Sequence, residues 1–191
     1  MQIIPPKIKE RIMAIKGFLK FIALIAFISF STSAFVLLKP KPAPTLKWLK
    51  WEEAVELNKT APKKILVDVY TEWCGWCKRM DKDTYQDEAI VNYLNTNYYC
   101  VKLDAEMHED VKFNDHIFKF MSEGRNGVHE LAASLMDNNM SYPTIVYLTQ
   151  NYERVLISPG YKKPDALLPE LKFTAEEIYK KKSWPDYAAG K

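Results

Sequence analysis

The pattern of apolar and polar residues predicts an α/β domain in the part of the chain after residue 47. Stretches with apolar residues at helical spacing alternate with short, continuous apolar runs that are typical of buried strands. The predicted elements, in chain order, are a helix at 51–57, a strand at 65–70, a helix whose first turn holds Cys74 and Cys77 and which ends at about 83, a helix at 87–95, a parallel strand at 98–103, a strand after Pro143, an antiparallel strand at 155–158 and a helix at 165–182. Strands that alternate with helices favour a central mixed sheet flanked by helices.

The stretch between Asp104 and Met140 carries a different pattern. Apolar and polar residues alternate on both sides of Asn114-Asp115, which is typical of a β-hairpin. A loop follows, and then a helix is predicted at 128–137. We expect this hairpin and helix to form an insertion at one edge of the sheet, ahead of the strand that follows Pro143.

Residues 1–38 have the composition of a membrane-targeting segment. Basic residues precede an uncharged apolar run from Phe21 to Phe30, and small residues lie at Thr32 and Ala34. This order fits a secretory signal peptide cleaved after Ala34. The longer stretch from Phe21 to Leu38 also fits an uncleaved membrane anchor, because it reaches the minimum of about 17 residues for a span. Both interpretations place the rest of the chain outside the cytoplasm, in a periplasm-like compartment.

The segment at 39–47 alternates proline with other residues, which predicts an extended and stiff linker. A folded domain is then expected at 48–184, and we expect the tail at 185–191 to fray. The net charge of +3 is modest, and the charges are interspersed after residue 50, so the sequence predicts no nucleic-acid partner.

Two cysteines mark the junction between the predicted strand at 65–70 and the helix after it. Cys74 is expected at the helix N-terminus, where unpaired N–H groups and the helix dipole stabilise a thiolate. Cys77 lies three residues further on, on the same face, close enough to close a small disulfide ring. Asp68 lies inside the strand, where a buried carboxylate is costly unless it has a function.

The stretch from Ile65 to Lys78 resembles the thioredoxin family. The resemblance rests on Ile65-Leu66-Val67-Asp68 followed by Glu72-Trp73-Cys74-Gly75-x-Cys77-Lys78. It is supported by Tyr142-Pro143, which matches the family's cis proline ahead of a strand, and by Gly160 after the last strand. The enlarged region before Pro143 is similar to an extracytoplasmic branch of the family.

The resemblance implies a thiol–disulfide oxidoreductase that reduces disulfides of extracytoplasmic proteins. Cys74, expected to be partly exposed, would attack a substrate disulfide, and Cys77 would resolve the mixed disulfide with Asp68 as its base. The residues expected to bind the substrate are Trp73, Gly75, Trp76, Tyr142 and Pro143. No glycine-rich motif for NAD or flavin is present, so we expect no cofactor and a membrane protein as the electron donor.

Three alternatives stay open, of which the third is a partner-binding domain whose cysteine pair is idle. The first is an oxidase or isomerase of the same fold, because the Gly75-Trp76 dipeptide sets the reduction potential and Trp76 stands where thioredoxin has proline. The second is a copper or zinc module in which the cysteine pair is joined by a histidine, with His129 as the candidate. We expect no metal site, and we expect Cys100 to be a small buried apolar residue.

Overall fold

The computed structural model of the protein describes residues 43–122 and 127–190. The strands are β1 (Trp48–Leu49), β2 (Lys64–Tyr70), β3 (Tyr98–Asp104), β4 (Val111–Phe113), β5 (His116–Phe118), β6 (Phe120–Met121), β7 (Val128–His129), β8 (Thr144–Leu148) and β9 (Arg154–Pro159). The helices are α1 (Trp51–Thr60), α2 (Gly75–Asp83), α3 (Glu88–Asn97), α4 (Glu130–Leu135), α5 (Pro164–Ala175) and α6 (Trp184–Ala188), with a 3₁₀ turn at Ile178–Lys180.

Five strands form one mixed sheet in the order β1-β3-β2-β8-β9. Strand β3 runs parallel to β1 and β2, whereas β8 runs antiparallel to both β2 and β9. The central position of β2 explains why its sequence is almost entirely apolar, because both of its faces are covered. The predicted mixed sheet with flanking helices is therefore confirmed.

The alternation of side chains along β2 divides the core into two layers. Ile65, Val67 and Val69 pack on the side of α1 and the inserted region. Leu66 and the neighbouring Asp68 position face the other side, where Leu66 packs in a cluster with Met80 of α2. This arrangement places the carboxylate of Asp68 on the face of the sheet that α2 covers.

The inserted region contains the predicted β-hairpin and a shorter helix than expected. Strands β4 and β5 pair on either side of Asn114 and Asp115, both of which have positive φ angles, as a tight hairpin turn requires. Helix α4 begins only at Glu130, because Val128 and His129 pair with β6 instead. The prediction of a helix over 128–137 is thus corrected at both ends.

The end of the chain also differs from the sequence-based expectation. The helix predicted at 165–182 ends at Ala175, because Glu177 adopts a left-handed conformation with a φ of 55°. Residues 185–188 of the tail that was expected to fray lie in α6. Trp184 and Tyr187 pack against the buried Phe173, with ring centroids 5.3 Å and 5.4 Å away. This aromatic contact orders the last described residues.

The predicted signal peptide or anchor at 1–38 lies outside the described residues, as does the linker up to residue 42. Residues 43–47, the end of that linker, run along α3, where Asn95 exchanges hydrogen bonds with Thr45 and Lys47. No helix within 43–122 or 127–190 is both long and apolar enough to cross a membrane.

Candidate functional site

Cys74 and Cys77 form a disulfide at the start of α2. The S–S distance is 2.07 Å and the two Cα atoms are 5.3 Å apart. Cys74 is the N-cap of the helix, and its Sγ accepts a hydrogen bond from the backbone N–H of Cys77 at 3.1 Å. The sulfur therefore occupies the position where a helix N-terminus stabilises negative charge.

The expected exposure of Cys74 is wrong for this disulfide-bonded form. Cys74 is only 4% exposed and Cys77 only 2%, because the sulfur of Cys74 is turned towards its partner within the ring. Gly75, which follows Cys74 directly, is exposed, and a Cβ added there would meet no atom within 4 Å. Glycine at this position leaves the approach to the disulfide free of side-chain atoms.

On one side of the disulfide, the indole of Trp73 is 67% exposed. Its ring packs edge-to-face on Tyr142, with centroids 5.9 Å apart. Its Nε1–H donates to both carboxylate oxygens of Glu106, at 3.0 Å and 3.1 Å. Two contacts thus hold an exposed apolar side chain in one orientation beside Cys74.

On the other side, Trp76 is 57% exposed. It packs on Tyr161, with ring centroids 5.5 Å apart. The guanidinium of Arg79 lies 5.7 Å from the Trp76 ring and 5.9 Å from the Tyr161 ring, within the range of a cation–π contact. Neither Arg79 nor Tyr161 was singled out from the sequence.

The Tyr142–Pro143 peptide bond is cis and precedes strand β8 directly. Pro143 is buried, and its carbonyl accepts a hydrogen bond from the N–H of Gly160 at 2.7 Å. Because Tyr142 contacts Trp73, the cis peptide lies next to the cysteine pair. The structure therefore places Trp73 and Tyr142, the residues before Cys74 and Pro143, in contact with each other.

Asp68 is buried on the face of the sheet covered by α2, with 1% of its surface exposed. The buried residues of α2 are Cys77 and Met80, and Met80 packs with Leu66 on the face of the sheet where Asp68 also lies. One carboxylate oxygen, Oδ2, accepts a hydrogen bond from Lys102 Nζ at 2.6 Å. The other, Oδ1, has no hydrogen-bond partner among the residues that the structure describes.

Burial raises the pKa of Asp68, and the nearby ammonium of Lys102 opposes this rise. The carboxyl group is therefore more readily protonated than an ordinary aspartate. A buried carboxyl with a raised pKa and an unpartnered oxygen can accept a proton at a higher pH than an ordinary aspartate, which is a property that suits a general base.

Lys102 is the main residue of this site that sequence analysis missed. Its Nζ binds the carboxylates of both Asp68 and Asp81. It also lies 4.9 Å, 5.1 Å and 5.4 Å from the ring centroids of Trp48, Tyr70 and Tyr85, respectively. A lysine in the apolar strand at 98–103 was the available signal, but its pairing with Asp68 depends on the register of β2 against β3.

The remaining candidate residues are held by other contacts. His129 is buried, its Nδ1 accepts from the N–H of Leu131, and its Nε2 contacts the carbonyl of Glu109. Both ring nitrogens are thus occupied by backbone groups, and no cluster of three metal-ligating side chains occurs in the described part of the chain. Cys100 is buried as predicted, and burial raises the pKa of its thiol.

Comparisons with known proteins identify the family and the fold of the chain. The family model described as "Thioredox_DsbH: Protein of unknown function, DUF255" matches residues 27–174. The chain belongs to this family. The solved structure titled "DsbH Oxidoreductase" is 16% identical, covers 73% of this chain and 92% of its own, and has a TM-score of 0.52. This similarity confirms the predicted thioredoxin-like fold for this DUF255 protein.

Two curated relatives match over shorter regions. Spermatogenesis-associated protein 20 of Mus musculus is 37% identical over 65 residues, which make up 34% of this DUF255 chain and 8% of that protein. Thiol:disulfide interchange protein DsbD of Campylobacter jejuni (strain RM1221) is 25% identical over 121 residues, 63% of this chain and 18% of that protein. The chain thus spans less than a fifth of the length of either relative.

Proposed function

We propose that this protein is a thiol–disulfide oxidoreductase that reduces disulfides of extracytoplasmic proteins. The observation that carries the proposal is the disulfide between Cys74 and Cys77 at the N-terminus of α2, beside a cis proline and above a buried aspartate. The similarity to a protein named thiol:disulfide interchange protein supports the same chemistry.

In the proposed reaction, the reduced protein begins with Cys74 as a thiolate and Cys77 as a thiol. The Cys74 sulfur attacks one sulfur of the substrate disulfide, so that a mixed disulfide forms and the other substrate sulfur leaves as a thiolate. Cys77 then loses its proton and attacks Cys74, which forms the Cys74–Cys77 disulfide and releases the second substrate thiolate. Two electrons pass to the substrate, whose thiolates take up protons.

Asp68 is proposed as the group that removes the proton from Cys77, either directly or through a water molecule. Its position beneath α2, the unpartnered Oδ1 and the raised pKa support this role. Lys102 is proposed to position the Asp68 carboxylate through the contact at Oδ2. Trp73, Gly75, Trp76, Tyr142 and Pro143 are proposed as the surface that receives the substrate chain.

The direction of electron flow and the location are also proposals. Asp68 supports a reductase, because a base that deprotonates Cys77 would speed the attack of Cys77 in the reduced pair. The apolar segment of the sequence at 21–38 supports an extracytoplasmic location and a membrane protein as the donor that reduces the disulfide again. An oxidase or isomerase is the alternative, and the reduction potential discriminates between them: a value above about −150 mV favours the alternative.

The experiment is reduction of insulin by the purified domain with dithiothreitol as the electron source. We expect the wild-type protein to accelerate insulin reduction, and Cys74→Ser to abolish the acceleration. The oxidised protein is tested in parallel for refolding of a reduced substrate protein. Faster refolding without insulin reduction would show that the protein acts as an oxidase rather than a reductase. Inactivity in both assays would refute the proposed function.

A further inference from the structure

The surface around the disulfide carries large apolar side chains that the fold leaves exposed. Among the described residues, those are Leu57, Trp73, Trp76, Ile117 and Met140. Three of the five lie at the site, since Trp73 and Trp76 flank Cys74 and the sulfur of Met140 contacts the hydroxyl of Tyr142 at 3.8 Å. Exposed apolar surface concentrated at one place marks an interaction site.

The side of this surface formed by Trp73 and Tyr142 is acidic. Glu106 holds the Trp73 indole, and Asp104 accepts a hydrogen bond from the backbone N–H of Glu106 at 3.0 Å. Burial raises the pKa of Asp104 most, and the hydrogen bond from the Glu106 N–H opposes this rise. The neighbouring carboxylates Glu72, Glu106 and Glu109 raise the pKa further, because like charges lie close together. We call Glu72, Asp104, Glu106 and Glu109 the acidic side.

The lysine nearest to Asp104 along β3 makes its ion pairs with carboxylates outside the acidic side. Lys102, two residues before Asp104 on β3, binds Asp68 and Asp81. Burial raises the pKa of Tyr142, and the negative charges of Glu106 and Asp104 raise it further. These carboxylates therefore lie close to the residue before the cis proline.

The opposite side, formed by Trp76 and Tyr161, is basic. Arg79 lies over both rings, and its side chain is 60% exposed although its Nε bonds Asp83. The ammonium of Lys162 is held by the carbonyls of Pro159 and Gly160, at 2.7 Å and 3.2 Å. Gly160 in turn donates to the carbonyl of Pro143, so this turn adjoins the cis proline. We call Arg79 and Lys162 the basic side.

We propose that the protein selects substrate segments by the order of charges around the reacting cysteine. The occupant is an extended protein segment whose cysteine has a basic residue on the flank that meets the acidic side and an acidic residue on the flank that meets the basic side. Apolar parts of that segment contact Trp73 and Trp76. This inference rests on the proposed function, and it adds a rule for which disulfides react fastest.

The charge rule follows from complementarity. An extended segment beside the cis proline must lie with one flank towards Trp73 and the other towards Tyr161, because Tyr142 contacts the former and Pro143 the turn that carries the latter. Complementary charges raise the association rate and fix the orientation, whereas like charges in the reversed orientation repel. The effect acts between exposed groups, so salt must weaken it.

The test uses two peptides of identical composition, each with one cysteine in a mixed disulfide with 2-mercaptoethanol. One peptide has two lysines before the cysteine and two glutamates after it, and the other has the reverse order. The pre-reduced protein is mixed with each peptide in a stopped-flow instrument, and the second-order rate constant is read from tryptophan fluorescence. Hydroxyethyl disulfide serves as the uncharged substrate.

We expect one order of charges to react at least about fivefold faster than the other at low salt, and less than about twofold faster at 0.5 M salt. Glu72→Gln/Glu109→Gln should remove most of the preference, whereas Glu56→Gln/Glu88→Gln, which changes the net charge equally on α1 and α3, should keep it. Equal rates for both peptides, or a preference that survives Glu72→Gln/Glu109→Gln, would overturn the inference while leaving reduction of hydroxyethyl disulfide intact. Loss of reaction with every substrate would instead refute the proposed function, and the inference with it.

Discussion

Replacement of Lys102 by methionine tests the electrostatic arrangement beneath the cysteines. Methionine keeps an unbranched apolar side chain but removes the ammonium that contacts Asp68 Oδ2 at 2.6 Å. The buried carboxylate then has no cation beside it, so the pKa of Asp68 must rise further in the variant. The stability of Lys102→Met relative to wild type should therefore depend on pH.

The size of the effect follows from proton linkage. Between the pKa of Asp68 in the wild type and its higher pKa in the variant, the folded variant binds one proton that the folded wild type does not. Within this window, the free energy of unfolding of Lys102→Met relative to wild type should therefore fall by about 1.4 kcal/mol for each unit by which the pH rises. The lost contacts with three aromatic rings add a pH-independent decrease of about 1 kcal/mol.

The assay is urea unfolding of the oxidised protein at intervals from pH 5 to pH 9. Lys63→Met is the matched control, because Lys63 also lies over an aromatic ring, that of Tyr99, at 5.5 Å. Its effect should not change with pH. In Lys102→Met/Asp68→Asn the pH dependence should disappear. A destabilisation by Lys102→Met that is constant with pH, or that persists as a pH slope in the double variant, would refute the account of Asp68.

Three further predictions concern the cysteines and the base. Cys77→Ala should accumulate mixed disulfides on Cys74 when mixed with disulfide substrates, seen by non-reducing electrophoresis, and the same bands with Cys74→Ala would contradict the assigned order of attack. Asp68→Asn should slow turnover at pH 7 by about tenfold or more, because general-base catalysis typically contributes at least that much. Turnover should recover as the pH is raised towards the ordinary thiol pKa, and an unchanged pH profile would count against Asp68 as the base. Cys100 should resist iodoacetamide in the folded, reduced protein and react only in denaturant, because it is 2% exposed and burial raises the pKa of its thiol; mass spectrometry of the labelled peptides would show a modified Cys100 if this were incorrect.

The parts of the fold that the sequence predicts well depend on local patterns. The strand that carries Asp68, the N-cap position of Cys74 and the N-cap of α3 at Asp87 each follow from neighbouring residues. The contacts of Lys102 with Asp68 and of Glu106 with Trp73 do not, because each joins residues more than 30 positions apart along the chain. Strand register and loop position decide such contacts, and a single sequence gives only weak information on either.

Two helix boundaries were not predicted from the sequence for a different reason. Helix α4 begins after His129, whose ring nitrogen rather than a hydroxyl or carboxylate accepts the N–H of Leu131, so the usual N-cap residues are absent. Helix α5 ends where Glu177 takes a positive φ, a conformation usually adopted by glycine or asparagine. In both places a residue type that is infrequent at helix ends occupies the capping or terminating position. Sequence rules based on the frequent residue types therefore do not predict these helix boundaries.

The central claim is that Cys74 is a reactive thiolate at the start of α2, and the pH dependence of its alkylation tests this most directly. The fully reduced protein is labelled with iodoacetamide between pH 4 and pH 10, and the rate at Cys74 is followed by mass spectrometry. We expect a midpoint at least about one unit below the value of about 8.5 for free cysteine. A midpoint at or above that of free cysteine would contradict the account.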